Sequence, residues 1–230
     1  MESPLSLIAG GTGLVGSHVI KVLSKKQGTQ IILARSFESE IPQNAELQII
    51  NFDSLSSNKV QLKSGIDHVY LCLGKKLSTH ELGYMQHGAR ESFKLIDLDY
   101  PLSIAKLAYE SGARSIALVS AVGAQEGSFN YYFHIKGKLE NEIRKIGYKN
   151  ICFARPGHLL GARKDFRGYE IPVLESGLRF AAPFMQGPFK NLRQIEAKKV
   201  AESMVMDLLD KKRRESYLYY EDFLKTETFE

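Results

Sequence analysis

A glycine-rich turn near the start of the chain limits the possible folds more than any other feature of the sequence. It follows an apolar run, residues 5–9, and leads into a segment with helical spacing, residues 14–26. The turn reads Gly10-Gly11-Thr12-Gly13-Leu14-Val15-Gly16. Its two glycine spacings, 11-13-16 and 10-13-16, both allow a tight turn, a close approach of backbone to phosphate and close packing of helix on strand.

The order of strand, glycine turn and helix predicts a dinucleotide site rather than a plain glycine turn. A helix N-terminus offers free N–H groups and partial positive charge, so it attracts phosphates. The residues expected at the phosphates are Gly10, Thr12, Gly13, Leu14 and Val15.

Short apolar runs alternate with longer amphipathic segments through the first two thirds of the chain. The expected strands are residues 5–9, 30–34, 46–50, 68–73, 115–120 and 150–154, and the expected helices are 14–26, 89–111 and 131–146. Strands that are apolar throughout suit a parallel sheet covered on both faces. The alternation therefore predicts a Rossmann-type α/β fold, a doubly wound parallel sheet with helices on both faces.

The expected helix 89–111 has its apolar residues near helical spacing. They are Leu95, Leu98, Leu102, Ala105 and Ala108. Gly112 follows directly and is expected to end the helix, since glycine accepts the left-handed conformation that helix ends need.

The periodic pattern weakens after Arg155. Glycine, proline and aromatic residues fill positions 156–193, after which 196–209 has helical spacing and 216–220 suits a strand. With 230 residues and no repeat or linker, the chain is expected to form a single NAD(P)-binding domain. Residues 1–155 are the expected dinucleotide-binding core, and 156–230 a small substrate-side elaboration that is not independent.

The end of the second expected strand bears on the choice of cofactor. NAD-preferring folds usually carry an acidic residue there for the ribose 2′-hydroxyl, and this chain has Arg35 followed by Ser36. A guanidinium suits a 2′-phosphate, and a serine can add a hydrogen bond. We expect NADP(H), with NAD(H) less favoured; the alternative for Arg35 is a solvated strand end.

Asp53 follows the third expected strand and has two readings. Its carboxylate can accept a hydrogen bond from an adenine amino group, or it can cap the segment that starts at Leu55.

Tyr132 and Lys136 form a Tyr-x-x-x-Lys pair in the expected helix 131–146. Residues four apart share one helix face, and a nearby cation lowers the pKa of a phenol, so Tyr132 is a candidate general acid and base. Tyr131 has Ile135 four residues on and lacks such a partner. A chain with 11 tyrosines can also contain the pair by chance, as an ordinary surface pair.

Ser120 ends the fifth expected strand, 12 residues before Tyr132. Ligands of open α/β sheets bind beyond the carboxyl ends of the strands, so its hydroxyl can hold a substrate carbonyl. The alternative is a serine that forms a local turn.

Composition excludes several other classes of protein. A net charge of +5 does not by itself indicate a nucleic-acid partner, and two isolated cysteines fit a buried core. The six histidines show no paired ligand spacing, so no metal is expected. No apolar stretch is long enough for a membrane span, and the acidic start does not suit a signal peptide. We expect a cytoplasmic protein.

These motifs resemble the short-chain dehydrogenase/reductase superfamily, and within it the atypical, Tat-interacting-protein-like group. The segments that carry the resemblance are residues 10–16, 120–124, 132–140 and 155–163. The resemblance implies a Rossmann fold, NADP(H), and catalytic roles for Ser120, Tyr132 and Lys136, with Lys136 also on the cofactor ribose.

The resemblance further implies that Leu73 and Gly74 pass beside the cofactor, and that Pro156 and His158 line its nicotinamide end. One departure stands out. Many members order a proton-relay water with an asparagine on the helix after the fourth strand, and residues 89–111 contain none. Asp97 and Asp99 are there instead, which puts the relay in doubt.

The first hypothesis is an NADP(H)-dependent oxidoreductase acting on a small carbonyl or hydroxyl substrate. The alternatives are a non-catalytic NADP(H)-binding regulator and, more weakly, a sugar-nucleotide epimerase, for which the region after Arg155 is short. The expected partner is a small molecule rather than a nucleic acid. Phe180, Pro183, Phe184 and Met185 would suit the surface of a homodimer.

Overall fold

The fold is a seven-stranded parallel sheet with helices on both faces. The computed structural model describes residues 4–26, 28–57, 60–160, 187–210 and 214–225. Within these ranges the spatial strand order is β3-β2-β1-β4-β5-β6-β9, and all neighbouring pairs are parallel. The strands are β1 (Ser6–Ala9), β2 (Gln30–Ala34), β3 (Ala45–Ile49), β4 (His68–Leu71), β5 (Ser115–Val119), β6 (Asn150–Ala154) and β9 (Glu215–Leu218). A separate pair consists of β7 (Leu159–Leu160) and β8 (Ile195–Glu196).

The helices are α1 (Leu14–Lys25), α2 (Thr79–Gly83), α3 (His87–Lys94), α4 (Tyr100–Glu110), α5 (Tyr131–Ile146), α6 (Ala197–Asp210) and α7 (Tyr220–Lys225). A π-helical segment, Leu95–Asp99, joins α3 to α4, and 3-10 turns cover Phe52–Ser57 and Gly187–Leu192.

Side chains of each strand alternate between two hydrophobic cores, because successive residues of a strand point to opposite faces. Leu7 and Ile116 belong to the core that also holds Ile135 of α5, whereas Ile8 and Ala117 belong to the core under α1 and α6. The central strands are buried on both faces. The predicted doubly wound α/β fold is therefore confirmed.

The predicted helix over residues 89–111 is confirmed as a continuous helical run over residues 87–110, but it is not regular throughout. It consists of α3, the π-helical segment and α4, and the N–H of Tyr100 donates to the carbonyl of Leu95, five residues earlier. Pro101 accounts for the irregular turn, because it has no N–H to donate and its ring clashes with the carbonyl of the residue four before it, Asp97. Leu95, at the start of the π turn, is 39% exposed although it belongs to the predicted apolar stripe. Gly112 does follow the end of α4, with a φ of 110°.

The last strand of the sheet comes from the C-terminal part of the chain. β9 pairs with β6. It ends at Leu218, two residues before the end of the predicted strand 216–220. Phe180, Pro183, Phe184 and Met185 lie outside the described residues. Within the described ranges, no helix has both the length and the apolar character that crossing a membrane requires.

Because all strands of the main sheet are parallel, their carboxyl ends lie along one edge. The segments that follow β1, β4, β5 and β6 along this edge begin at Gly10, Cys72, Ser120 and Arg155. These segments contain most of the residues predicted to form the site.

Candidate active site at the carboxyl edge of the sheet

The glycine turn packs directly on the backbone that follows β4. Gly10 has a φ of +88°, and a Cβ there would lie 2.6 Å from both the carbonyl carbon and the oxygen of Cys72. Across the turn, a Cβ on Gly16 would lie 2.2 Å from the carbonyl oxygen of Gly10. The turn thus has no room for side chains at these positions, and the backbone itself forms the surface beyond β1.

The start of α1 meets the requirements of a phosphate site. Gly13 is the N-cap, no side chain caps the helix, and its first turn holds no acidic residue. Thr12 is exposed, Leu14 is half-buried and Val15 is buried among the core residues under α1. Uncapped N–H groups and the positive end of the helix dipole remain available for an anion, so the chain fits the pyrophosphate of a dinucleotide.

Arg35 and Ser36 lie exposed beyond the end of β2, the place predicted for the 2′-phosphate contact. An open pocket there is lined by Arg35, Ile49, Ile50 and Asn51. The guanidinium of Arg35 lies 5.8 Å from the centre of the Phe52 ring. An exposed cation at the rim of a pocket that also has apolar walls is a reasonable partner for a phosphate beside an adenosine.

Asp53 does not cap the segment starting at Leu55, because it lies inside a 3-10 turn that begins at Phe52. The side chain of Asn51 takes the capping position and accepts from the Asp53 N–H at 3.0 Å. The Asp53 carboxylate accepts a hydrogen bond from the hydroxyl of Tyr100. The predicted adenine contact must therefore share this carboxylate with Tyr100.

Tyr132 and Lys136 lie on α5, whose start is fixed by Asn130. The Asn130 side chain accepts from the N–H groups of Tyr132 and Phe133, and it donates to the carbonyl of Leu82 at 2.9 Å. Asparagine is a favoured N-cap residue, and here it also joins α2 to the first turn of α5. The Tyr132 ring packs on Phe93 at 5.8 Å between centres.

Lys136 is buried and forms an ion pair that the sequence did not reveal. Its ammonium lies 2.8 Å from Oδ1 of Asp97, and the two side chains are only 6% and 2% exposed. The other oxygen of Asp97 accepts from the backbone N–H of Lys75 at 2.7 Å. The same ammonium lies 6.0 Å from the centre of the Tyr132 ring. Asp97 thus contacts Lys136 from the helix in which many members of the superfamily carry the relay asparagine and this chain does not.

Burial and two neighbouring charges act on the pKa of the Tyr132 phenol. Burial raises its pKa, the Lys136 ammonium lowers it and the Asp97 carboxylate raises it, so that the pKa is raised overall. Burial lowers the pKa of Lys136, but Asp97, together with Tyr132 and Glu140, more than offsets this and the pKa of the ammonium is raised. Lys136 does lower the pKa of the Tyr132 phenol, as the sequence predicted, but this effect does not outweigh that of burial.

Ser120 is hydrogen-bonded to a second ion pair, that of Glu140 and Arg155. Glu140 lies one helical turn after Lys136 on α5. The Ser120 hydroxyl donates to Oε1 of Glu140 at 2.5 Å, and Arg155 donates to both oxygens of the same carboxylate, through Nε to Oε1 at 2.9 Å. Glu140 is 1% exposed. Ser120 therefore lies at the carboxyl edge as predicted, but its proton is directed toward Glu140. Arg155 continues this network to the hydroxyl of Tyr219.

The remaining predicted contacts follow β4 and β6. Leu73 is half-buried against the core, and a Cβ on Gly74 would lie 3.5 Å from Asp97 Oδ1 and 4.0 Å from the Lys136 ammonium. The Pro156 carbonyl accepts from the N–H of Val122, and the His158 carbonyl accepts from the N–H of Ile195. Gly74 is thus the predicted contact that the structure brings to Lys136.

Asp97 and Glu140 are the residues that sequence reasoning did not place in the site. The available signals were a carboxylate among the apolar residues Ile96 and Leu98, and a glutamate four residues after Lys136 on the same helix face. Buried carboxylates are rare unless they are paired, so each implied a partner. Within the described ranges, no group of three or more candidate ligands could hold a metal ion.

Comparison with known proteins identifies the family of the chain. Residues 6–128 match the family described as the NAD dependent epimerase/dehydratase family. Protein FMP52, mitochondrial, from Candida albicans is 30% identical over 201 residues, which cover 85% of each chain. Protein HTATIP2 from Rattus norvegicus is 26% identical over 172 residues, which cover 73% of this chain and 67% of that protein.

A solved structure of the human epimerase family protein SDR39U1 with NADPH has a TM-score of 0.64 and 15% identity. The match covers 94% of this chain and 74% of that one. At this level of identity, the likeness shows the fold.

The expectation of a cytoplasmic protein is wrong. Similar proteins from Candida albicans, Candida glabrata and Debaryomyces hansenii are named as mitochondrial proteins. The expectation rested on the lack of a long apolar stretch and of a secretory signal pattern, and neither feature bears on mitochondrial location.

Proposed function

The chain belongs to the NAD dependent epimerase/dehydratase family, in the atypical part of the short-chain dehydrogenase/reductases, and from that premise we propose that it is an NADP(H)-dependent oxidoreductase. Its substrate in this proposal is a small carbonyl compound or the corresponding alcohol. The observation that carries the proposal is the pairing of Tyr132 with a buried, charged Lys136 on one face of α5, beside the backbone of Gly74.

The chain's own groups would hold the cofactor from one end to the other. Gly10, Thr12, Gly13, Leu14 and Val15 would surround the pyrophosphate, as the uncapped start of α1 suggests. Leu73, Gly74, Lys136, Pro156 and His158 would lie along the ribose and nicotinamide. Arg35 and Ser36 would bind the 2′-phosphate, and Asp53 would accept from the adenine. When bound, the nicotinamide ring supplies or accepts a hydride.

Tyr132 would hold the proton that the reaction exchanges. In the reductive direction its phenol gives this proton to the substrate oxygen, and in the oxidative direction it takes the proton back. Lys136 would stabilise the phenolate and hold the ribose. Ser120 would orient the substrate oxygen; since its proton is given to Glu140, its own oxygen is presented as an acceptor, which suits a substrate hydroxyl.

The test compares two neighbouring tyrosines. NADPH oxidation is followed by absorbance over a panel of aldehydes and ketones, for the wild type, Tyr132→Phe and Tyr131→Phe. Loss of a general acid costs about 100-fold or more, so Tyr132→Phe should lose most of its rate. Tyr131 has its ring under Arg90 and is the matched control, so Tyr131→Phe should stay within a few-fold. Equal rates for all three proteins would refute the assignment.

A second candidate, a non-catalytic NADP(H)-binding regulator, is favoured by one feature. The Ser120 proton is committed to Glu140 and the Lys136 charge is balanced by Asp97, so neither group is free as it stands. If the chain is such a regulator, NADPH should raise the melting temperature of the wild type and of Tyr132→Phe alike, and neither should turn over any member of the panel.

Sugar-nucleotide epimerase chemistry is the third candidate, and the description of the family favours it. It is tested with UDP-glucose and NAD⁺ by chromatography of the products. Formation of the epimer, without net accumulation of NADH, would replace the reductase assignment.

We also propose that the chain works in mitochondria, on the strength of the names of its FMP52 relatives. Fractionation of cells that express the full chain with a C-terminal tag tests this. The tag should sediment with a mitochondrial marker, and recovery in the soluble fraction would refute the proposal.

A further inference from the structure

Three parts of the chain meet at the carboxylate of Asp97. The residue lies in the π-helical segment Leu95–Asp99, one oxygen contacts Lys136 of α5 at 2.8 Å, and the other accepts from the N–H of Lys75 at 2.7 Å. Both oxygens of Asp97 are therefore used. A carboxylate held by a backbone donor on one side presents a fixed charge to the ammonium on the other.

The position of Asp97 depends on the irregular turn in which it lies. A regular helix through 95–99 would shift this residue relative to α5, whereas the π turn, set by Pro101, brings it inward until it is 1% exposed. Single π turns inside helices are frequently found at functional sites. Its neighbour Asp99 faces outward and pairs with Lys94, where both side chains are 40% or more exposed.

The groups that face the Lys136 ammonium leave Asp97 as its main counter-charge. On α5 these are the Tyr132 phenol and the Glu140 carboxylate, and Glu140 is already bound by Arg155. From β5 the Val119 carbonyl approaches to 3.5 Å. In the loop after β4, a Cβ on Gly74 would lie 4.0 Å from this ammonium, and the Lys75 ammonium donates to the hydroxyl of Ser92. A buried ammonium without a counter-charge loses its proton readily.

We propose that Asp97 is a positioning residue for Lys136: its carboxylate holds the ammonium beside Gly74 and Tyr132 and keeps it charged over the pH range in which the protein works. The effect of Asp97 on turnover rests on the proposed function. The charge state of Lys136 can be measured on the protein without substrate or cofactor.

The decisive variant is Asp97→Asn, which keeps an acceptor for the Lys75 N–H and removes the charge. Lysine side chains are labelled with carbon-13 at Cε, and the Lys136 signal is assigned by its absence in Lys136→Met. Removal of the opposite charge lowers the pKa of a buried ammonium, so the Lys136 titration should move to lower pH. An unchanged midpoint in a folded Asp97→Asn protein would overturn the proposal.

Two further variants separate this effect from a structural one. Asp99→Asn removes a carboxylate two residues away and should leave the Lys136 titration where it was. Asp97→Glu restores the charge and should recover much of the wild-type midpoint. If Asp97→Glu behaves as Asp97→Asn does, the charge is not what matters and the proposal fails.

A melting experiment covers the case in which Asp97→Asn is too unstable for titration. In a double-mutant cycle with Lys136→Met, the double variant should melt at or above the temperature of Asp97→Asn, because no unpaired charge remains buried. Strictly additive losses would show that the two groups are not coupled and would overturn the proposal.

Turnover gives the last readout. In Asp97→Asn the rate should fall at a lower pH on the alkaline side than in the wild type, since Lys136 loses its proton earlier. If the wild type shows no turnover, the proposed reductase fails while the titration still decides the role of Asp97. If turnover is present with an unshifted alkaline limb, the role of Asp97 fails and the reductase stands.

Discussion

The two ends of the candidate site are built from different parts of the chain. The glycine loop, residues 10–16, consists of backbone pressed against backbone, with a left-handed Gly10 and a helix that starts without a side-chain cap. The charged cluster, made of Asp97, Lys136, Glu140 and Arg155, consists of three buried side chains and the half-buried Arg155, held in ion pairs. The glycine loop requires positions without a side chain, whereas the charged cluster requires that each buried charge has an opposite charge beside it.

This difference predicts different sensitivities. An added methyl group should damage the glycine loop at every pH, because the clash is steric. Removal of one charge should damage the cluster and alter its response to pH, because the partner charge is left buried. Each of the following changes tests one side of that contrast.

The largest loss is expected for Glu140→Gln in the charged cluster. The carboxylate is 1% exposed, accepts from Ser120 and forms a bidentate contact with Arg155, so its loss leaves a guanidinium without its counter-charge. Breaking a buried pair of this kind costs about 3 kcal/mol of the free energy of unfolding. Urea denaturation measures this cost.

The matched control for Glu140 lies on the same helix. Glu142→Gln removes a carboxylate whose partner, Lys145, is well exposed, so it should change stability very little. Equal losses for the two variants would show that burial of the Glu140 pair does not set its cost.

A somewhat smaller loss is expected for Gly10→Ala in the glycine loop. The new methyl would lie 2.6 Å from the Cys72 carbonyl in a conformation with φ at +88°, which costs about 2 kcal/mol in strain and displacement. Dinucleotide binding should be lost with it, since the backbone must shift. Gly88→Ala is the control: an added Cβ at this exposed helical position meets nothing within 4 Å, and alanine favours helix. Gly10→Ala with intact NADPH binding would contradict the assignment of this loop.

The two ends also differ in how far the sequence could predict them. The glycine loop is local, so strand, turn and helix could be recognised from consecutive residues, and β2 and β6 were predicted to the residue. The pair of Asp97 and Lys136 is not local. It requires the packing of α5 against the π-helical segment, and this irregular turn before Pro101 does not show in the regular apolar pattern.

The same reason explains the incomplete prediction for Ser120. Its place at the end of β5 followed from the strand pattern, because parallel strands bring their carboxyl ends together. The direction of its hydroxyl depended on Glu140, 20 residues later, and on Arg155 at the end of β6. Spacing in the sequence carries no information on which of several polar groups a buried hydroxyl meets.

Arg35→Ala sharpens the contrast at the adenosine side of the glycine loop, where a side chain rather than backbone is expected to select the ligand. Loss of one charge-assisted contact costs about 1.4 kcal/mol, a tenfold change. The dissociation constant for NADPH should rise about tenfold and that for NADH should not, as measured by fluorescence titration. Ser36→Ala should have a smaller effect of the same sign. A protein that binds NADH as tightly as NADPH before and after the change would contradict the 2′-phosphate contact.

The smallest effect is expected at α2, the short helix that Asn130 joins to α5. Ser78 and Glu81 form a capping box: the serine hydroxyl accepts from the Glu81 N–H at 3.2 Å, and the carboxylate accepts from the Ser78 N–H at 3.0 Å. Ser78→Ala should cost α2 about 1 kcal/mol, so the amide protons of Leu82 and Tyr84 should exchange about fivefold faster.

The cap also has a pH dependence of known sign. Hydrogen bonds from Ser78 lower the pKa of Glu81 in the folded chain. A lowered pKa contributes stability above the unfolded value of about 4.3, and that contribution is lost as the pH falls through the folded value. The difference in exchange between the wild type and Ser78→Ala should therefore be constant near neutral pH and shrink in acid. A difference that grows in acid, or that spreads to the amides of α1, would show that the Ser78 cap does not act locally on α2.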